Sequence, residues 1–269
     1  MRNYFAYDKS TQPQTKSHQI NTLSDVNASL QAEASHDQLL VDVKNGYTKS
    51  DAKRIGSLNK TIAGLDDKKR GRIMASMQVG VQRHTQVTCT RLATGKDAPW
   101  YEVSAAADPL LVTQVYASAL SVNYAIADGK TTKEDWAPFA RLVLDAAYEA
   151  TLHAAVLYAR PPEANGRRKV VLTALGGGVF GNEPAWISAA IVRALKIFKN
   201  AGLDVAINEY GTGHLADIKT AIEADEETRP LLQKPESAKS QAFGREANEA
   251  NKANKANKAK PRPVVMYTE

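Results

Sequence analysis

Residues 169–210 read KVVLTALGGGVFGNEPAWISAAIVRALKIFKNAGLDVAINEY, and the order of residue types in this stretch sets the fold. Residues 170–175 are apolar apart from Thr173, of strand length and rich in β-branched side chains, the pattern of a fully buried parallel strand. Gly176, Gly177, Gly178, Val179, Phe180, Gly181 and Asn182 follow at once. Asn182 suits a helix N-cap, Glu183 the positive end of a helix dipole, and Pro184 a first helical turn. Ile187, Ala190, Ile191, Ala194, Leu195 and Phe198 then recur at helical spacing. Gly202 offers a left-handed stop, and residues 203–207 form a second short apolar run. The stretch predicts strand, glycine-rich turn, helix and strand, which is one βαβ unit.

Four glycines in six residues leave backbone N–H groups unscreened by side chains, and the helix behind them adds partial positive charge. Such a turn can hold a phosphate or pyrophosphate at the carboxyl end of the strand. The bland alternative is a tight connection in which glycine merely lets helix and strand pack closely. Gly176, Gly178 and Gly181 satisfy G-x-G-x-x-G, the dinucleotide fingerprint. Against that reading, Glu209 lies about thirty residues beyond the motif where roughly twenty are expected, and little chain remains after Tyr210 to complete a doubly wound sheet. A nucleotide P-loop is excluded, because no Gly-Lys-Ser/Thr follows the glycines.

The preceding segments add to this. VTQVYASALSVNYA, WAPFARLVLDAAYEATLHAA and LTALGGGVFGN follow one another as strand and loop, long helix, and strand with glycine loop. This succession over residues 75–225 resembles a macrodomain, the ADP-ribose-binding family, and is most similar to the divergent MavL-type bacterial effector ADP-ribosylhydrolases. Val179, Phe180 and Gly181 match the aliphatic, aromatic and glycine positions of the family's second phosphate loop. The first ligand loop departs from the pattern. No Asn-Ala-Ala-Asn occurs, and Ala117 and Leu120 fall where the asparagines would be, leaving Ser118, Ser121 and Asn123 as its polar groups; ordinary capping and turn chemistry is the bland reading of each.

The resemblance implies an α/β fold with a mixed sheet flanked by helices, and binding of ADP-ribose, free or attached to a protein. It places the pyrophosphate between residues 117–123 and 176–182, Phe180 beside the distal ribose, Tyr210 against the adenine, and Asp108 on the adenine amino group. It further implies hydrolysis of ADP-ribose from modified side chains. A positioned water with a carboxylate or phosphate nearby would serve that chemistry. No general base stands out; Asp128 and Glu183 are candidates because they adjoin the loops. The alternative is a non-catalytic reader of ADP-ribose, and no cofactor is expected in either case.

Outside the loops the chain divides into a polar extension over residues 1–74, with helices near 24–45 and 57–77, the macrodomain-like part over 75–225, and a tail over 226–269. Val79, Val81, Val87, Cys89 and Leu92 fit strands, with turn signals around residues 95–99. Thr132 and Asp135 offer a capping box for a helix running to about residue 159, with Pro138 inside it as a kink or a later start. Glu149 and His153 share a helix face, yet the sequence holds no HExxH or cysteine cluster that would complete a metal site with them. The near-repeat ANKANKANK has no apolar face to bury and predicts a basic disordered tail. Nucleic-acid contact through its lysines is the secondary reading, since no aromatic residues interleave with them. Net charge is +6, much of it from this end, and Cys89 is the sole cysteine, so no internal disulfide can form. No apolar run reaches transmembrane length and residues 1–16 lack a secretory core. A cytoplasmic protein is expected, with export by a route needing no such signal left open.

Overall fold

The computed structural model describes residues 20–44, 46–86, 89–90, 102–103, 111–159, 168–209, 213–232 and 264–268. Helix α1 (Ser24–Ala34) ends where Ser35 turns left-handed at φ 49°, so the helix expected to reach residue 45 stops early. Strands β1 (Asp42–Lys44) and β2 (Tyr47–Lys49) form an antiparallel hairpin instead, turning at Gly46 with φ 82°. The helix expected over 57–77 is two helices, α2 (Ala52–Ala63) and α3 (Asp67–Ala75). Each has an aspartate N-cap: Asp51 accepts from the Arg54 N–H and Asp66 from the Lys69 N–H. Gly64, the poorest helix former nearby, lies at the break.

Strands β3 (Gly80–Gln86), β4 (Cys89–Thr90), β5 (Glu102–Val103) and β6 (Leu111–Tyr116) come next, followed by the single turn α4 (Val122–Ala125). Val87, Leu92 and the turn near residues 95–99 lie outside the described residues. Helix α5 (Lys133–Tyr158) starts at the expected capping box, with Thr132 and Asp135 each bonding the other's backbone. It runs through Pro138 as one helix. Strand β7 (Lys169–Thr173), helix α6 (Pro184–Phe198), strand β8 (Asp204–Glu209), helix α7 (His214–Ala224), a 3₁₀ turn (Arg229–Leu231) and strand β9 (Val264–Thr268) complete the order.

The core is built around α5. Trp136, Phe139, Leu142, Val143, Leu144, Tyr148 and Leu152 are buried along it, and it packs on α6 and also on α2 and α3. The polar-rich first third of the chain thus shares this core through Val26, Leu30, Ile55, Leu58 and Ile73. Polar ties reinforce the contact: Asn59 donates to the Asp135 carbonyl at 2.9 Å, and Arg70 pairs with Asp145 at 2.8 Å.

β7, α6 and β8 form the expected βαβ unit, with parallel pairing from Lys169 opposite Asp204 to Thr173 opposite Asn208. Three expectations are corrected around it. The strand is not buried on both faces: Leu172 is 3% exposed but Val171 is 53% exposed, so one face of β7 is left uncovered by the described residues. The described strands do not join in one mixed sheet; they form four small sheets, β1–β2, β3–β6, β4–β5 and β7–β8–β9. β6 pairs antiparallel with β3, whose register slips between Gln82 and Thr85 where His84 takes φ 52°. With Leu111, Thr113 and Gln114 exposed, β6 has the pattern of a surface strand, not of one inserted between covered layers. Finally, the end of the tail is not disordered. β9 lies parallel to β8, with Val264 opposite Val205 and Thr268 opposite Glu209, in keeping with the strand preference of a short run rich in β-branched residues. No helix among the described residues is long and apolar enough to cross a membrane.

Deleting residues 264–269 should therefore leave β8 as an edge strand and lower stability by on the order of 2–4 kcal/mol, from several lost ladder hydrogen bonds. Chemical denaturation followed by circular dichroism measures this; an unchanged transition would show that β9 contributes nothing to the fold.

Candidate functional site

Tyr148 sets the start of the glycine loop. Its hydroxyl donates to the Thr173 carbonyl at 2.7 Å and accepts from the Leu175 N–H at 2.9 Å, so α5 grips the chain as it leaves β7. Burial pushes the phenol's pKa well above its ordinary value, which keeps it a neutral donor. Gly176 and Gly181 then take left-handed φ values of 75° and 70°. A Cβ on Gly176 would meet Ala119 and Asn182 at 2.5 Å, and one on Gly181 would overlap the Asn123 amide. Gly177 is close to His214, which would lie 2.6 Å from an added Cβ. These glycines are required by backbone conformation and close approach.

Asn182 does not cap α6, as its residue type suggested; Glu183 holds that position. The Asn182 side chain, 3% exposed, donates to the Leu120 carbonyl at 2.8 Å and the Gly176 carbonyl at 3.3 Å, while its N–H closes the loop onto Gly176 O at 3.0 Å. Asn123 makes the reciprocal tie. Its N–H reaches the Phe180 carbonyl at 3.0 Å and its side-chain amide the Val179 carbonyl at 3.2 Å. The loops 117–123 and 176–182 are thus stitched together.

The result is an asymmetry along residues 176–180. Every carbonyl there accepts from the protein: Gly176 from Asn182, Gly177 from the His214 ring at 2.9 Å, Gly178 from the Gly181 N–H at 3.0 Å, Val179 and Phe180 from Asn123. The N–H groups of Gly178, Val179 and Phe180 donate to nothing among the described residues. Val179 at the tip is 74% exposed. With its acceptors turned inward and three consecutive donors left over, just before the N-terminus of α6, this loop is chemically suited to an anion.

The other anticipated residues divide. Ser118 is exposed and bonds the Ala119 carbonyl, a local turn contact. Ser121 is buried at the loop junction, and its Oγ, like Asn182 Oδ1, has no partner among the described residues. Asp108 and Tyr210 lie outside the described residues. Asp128 is exposed and sits 3.9 Å from Lys49 and 3.8 Å from Lys130; Glu183 accepts from Lys133. Both carboxylates are therefore already engaged. Glu149 is held by Arg193 at 2.7 Å, with His153 at 3.7 Å. A depression of about 450 Å³ lined by Val81, His153, Ala154, Val156, Leu157 and Tyr158 shares no residue with the two loops.

No protein-family model, curated protein or solved structure matches the chain.

The glycines of the loop should separate by substitution. Gly178 has open space and no positive φ, so Gly178→Ala should change stability by less than about 0.5 kcal/mol. Gly181→Ala should cost on the order of 2–4 kcal/mol, from the left-handed backbone and the clash with Asn123. Thermal melts of the two variants compare them directly; equal losses would contradict this geometry.

Proposed function

We propose that the chain binds ADP-ribose, free or attached to a protein, through a macrodomain-like arrangement in which the pyrophosphate lies on residues 176–182 beside 117–123. The observation that carries this reading is the row of N–H groups on Gly178, Val179 and Phe180 that find no acceptor among the described residues, while the carbonyls of residues 176–180 all accept from the protein. A diphosphate offers acceptor oxygens to several such donors at once, and charge-assisted hydrogen bonds are the strong ones. The β7–α6–β8 unit and the long helix before it support the same reading. Phe180 would flank the distal ribose.

The reader function fits the geometry better than the hydrolase. Asp128 and Glu183, the two acids beside the loops, are each paired with lysine, so an attacking water would compete with a lysine for their oxygens. Hydrolysis of ADP-ribose from modified side chains remains the second reading, supported by the effector-like wording of residues 112–182. Incubation with an ADP-ribosylated protein separates the two. The reader releases no ADP-ribose, and catalytic release that persists in Asp128→Asn and is lost in Glu183→Gln would instead name Glu183 as the base.

Binding itself is tested at Gly178. Gly178→Val should fold, since the position has space and no left-handed φ, yet its branched side chain screens the adjacent N–H groups. ADP-ribose should raise the melting temperature of the native protein more than AMP does, and Gly178→Val should weaken ADP-ribose about tenfold or more, the loss of at least one charged hydrogen bond. A folded variant with native affinity in calorimetry would place the ligand elsewhere.

A further inference from the structure

Beside the cradle of N–H groups lies a row of three aromatic rings. The Tyr124 ring stands edge-on to Phe180 with centroids 6.3 Å apart, and Tyr47 stacks on Tyr124 at 4.9 Å with the planes 35° apart. Tyr47 and Tyr124 are 41% and 43% exposed, so large aromatic surface faces solvent next to the loop. Tyr124 follows Asn123, whose backbone and side chain both bind the glycine loop, which fixes the ring's place beside the cradle. Tyr47 comes from the β1–β2 hairpin, far away in sequence, and the hairpin is tied to α4 beside it. Lys49 donates to the carbonyls of Tyr124 at 2.6 Å and Ala125 at 3.3 Å, and Thr48 between the two residues is buried.

Exposed stacked tyrosines are an expensive surface for water and a ready platform for a flat π system. A ligand that suits both features carries phosphate for the N–H groups and a planar base for the rings, joined by a sugar. We infer that Tyr47 and Tyr124 form a stacking platform for the nucleobase of the bound nucleotide, so that the hairpin from the first third of the chain completes the site. This rests on the ADP-ribose reading for the identity of the nucleotide, and it sets the adenine on Tyr47 and not on Tyr210, where the family resemblance would put it.

The test uses the full chain and calorimetric titration with ADP-ribose, AMP and inorganic pyrophosphate, the last having no base to stack. Tyr47→Leu keeps the bulk that packs on Tyr124 but has no ring; Tyr47→Phe keeps the ring. Stacking predicts that Tyr47→Leu weakens ADP-ribose and AMP by roughly five- to a hundredfold, leaves pyrophosphate unchanged, and that Tyr47→Phe binds all three as the native chain does. Unchanged ADP-ribose affinity in Tyr47→Leu overturns the platform, as does a parallel loss of pyrophosphate, which would mean that the hairpin only props the loop. If the native chain binds AMP through Tyr47 but prefers it to ADP-ribose, the platform stands and the ADP-ribose reading falls. Binding of no nucleotide overturns both.

Discussion

The buried side chain of Asn182 is the contact on which the site depends. A buried amide donor left without a partner costs on the order of 1–3 kcal/mol, and the Asn182 Nδ2 group donates to the carbonyls of Leu120 and Gly176, one on each loop. By drawing those carbonyls inward it sets the direction of the whole 176–182 turn. Asn123 does the same for Val179 and Phe180 from the opposite side. Five successive carbonyls accept from the protein, and the N–H groups of Gly178, Val179 and Phe180 find no acceptor among the described residues. The surplus of donors on which the proposed anion site rests is thus a consequence of how the loop's acceptors are used up, and the glycines permit the conformation without themselves supplying the order.

That order is transmitted from α5. Its apolar residues make the centre of the core, and Tyr148 carries the position of the helix to the exact place where β7 gives way to the glycines. α7 adds His214 from the far end of the β8 crossover. The first third of the chain packs on the other side of α5 and also delivers the hairpin that bears Tyr47. α2 and α3 thus pack on the same helix whose Tyr148 makes two hydrogen bonds at the start of the glycine loop.

Much of this was legible in the chain because it is encoded over a few residues. The capping box at Thr132 and Asp135, the apolar periodicity of α6 and the strand–glycine–helix–strand succession are all local patterns. What escaped reading depends on partners far apart in sequence. Asn182 has the best N-cap propensity in its neighbourhood, but a carbonyl 62 residues away claims its side chain and leaves Glu183 at the cap. Tyr148 and His214 act across 27 and 37 residues, and nothing in their own surroundings marks them. Tyr47 falls between the helices expected near 24–45 and 57–77, and it becomes part of a hairpin because Ser35 turns left-handed and ends α1 early. The strand at residues 111–116 reads well as a strand, yet periodicity does not say which neighbour it will choose, and it chose β3.

The central claim concerns three N–H groups, and amide resonances report on them one at a time. Titrating ADP-ribose into isotopically labelled protein should move the signals of Gly178, Val179 and Phe180 downfield, as donors do on gaining a charged acceptor. The amides of Gly181 and Asn182, already bonded to Gly178 and Gly176 within the loop, should move less. Saturable binding that leaves Gly178, Val179 and Phe180 unmoved would contradict the assignment of this loop as the phosphate site.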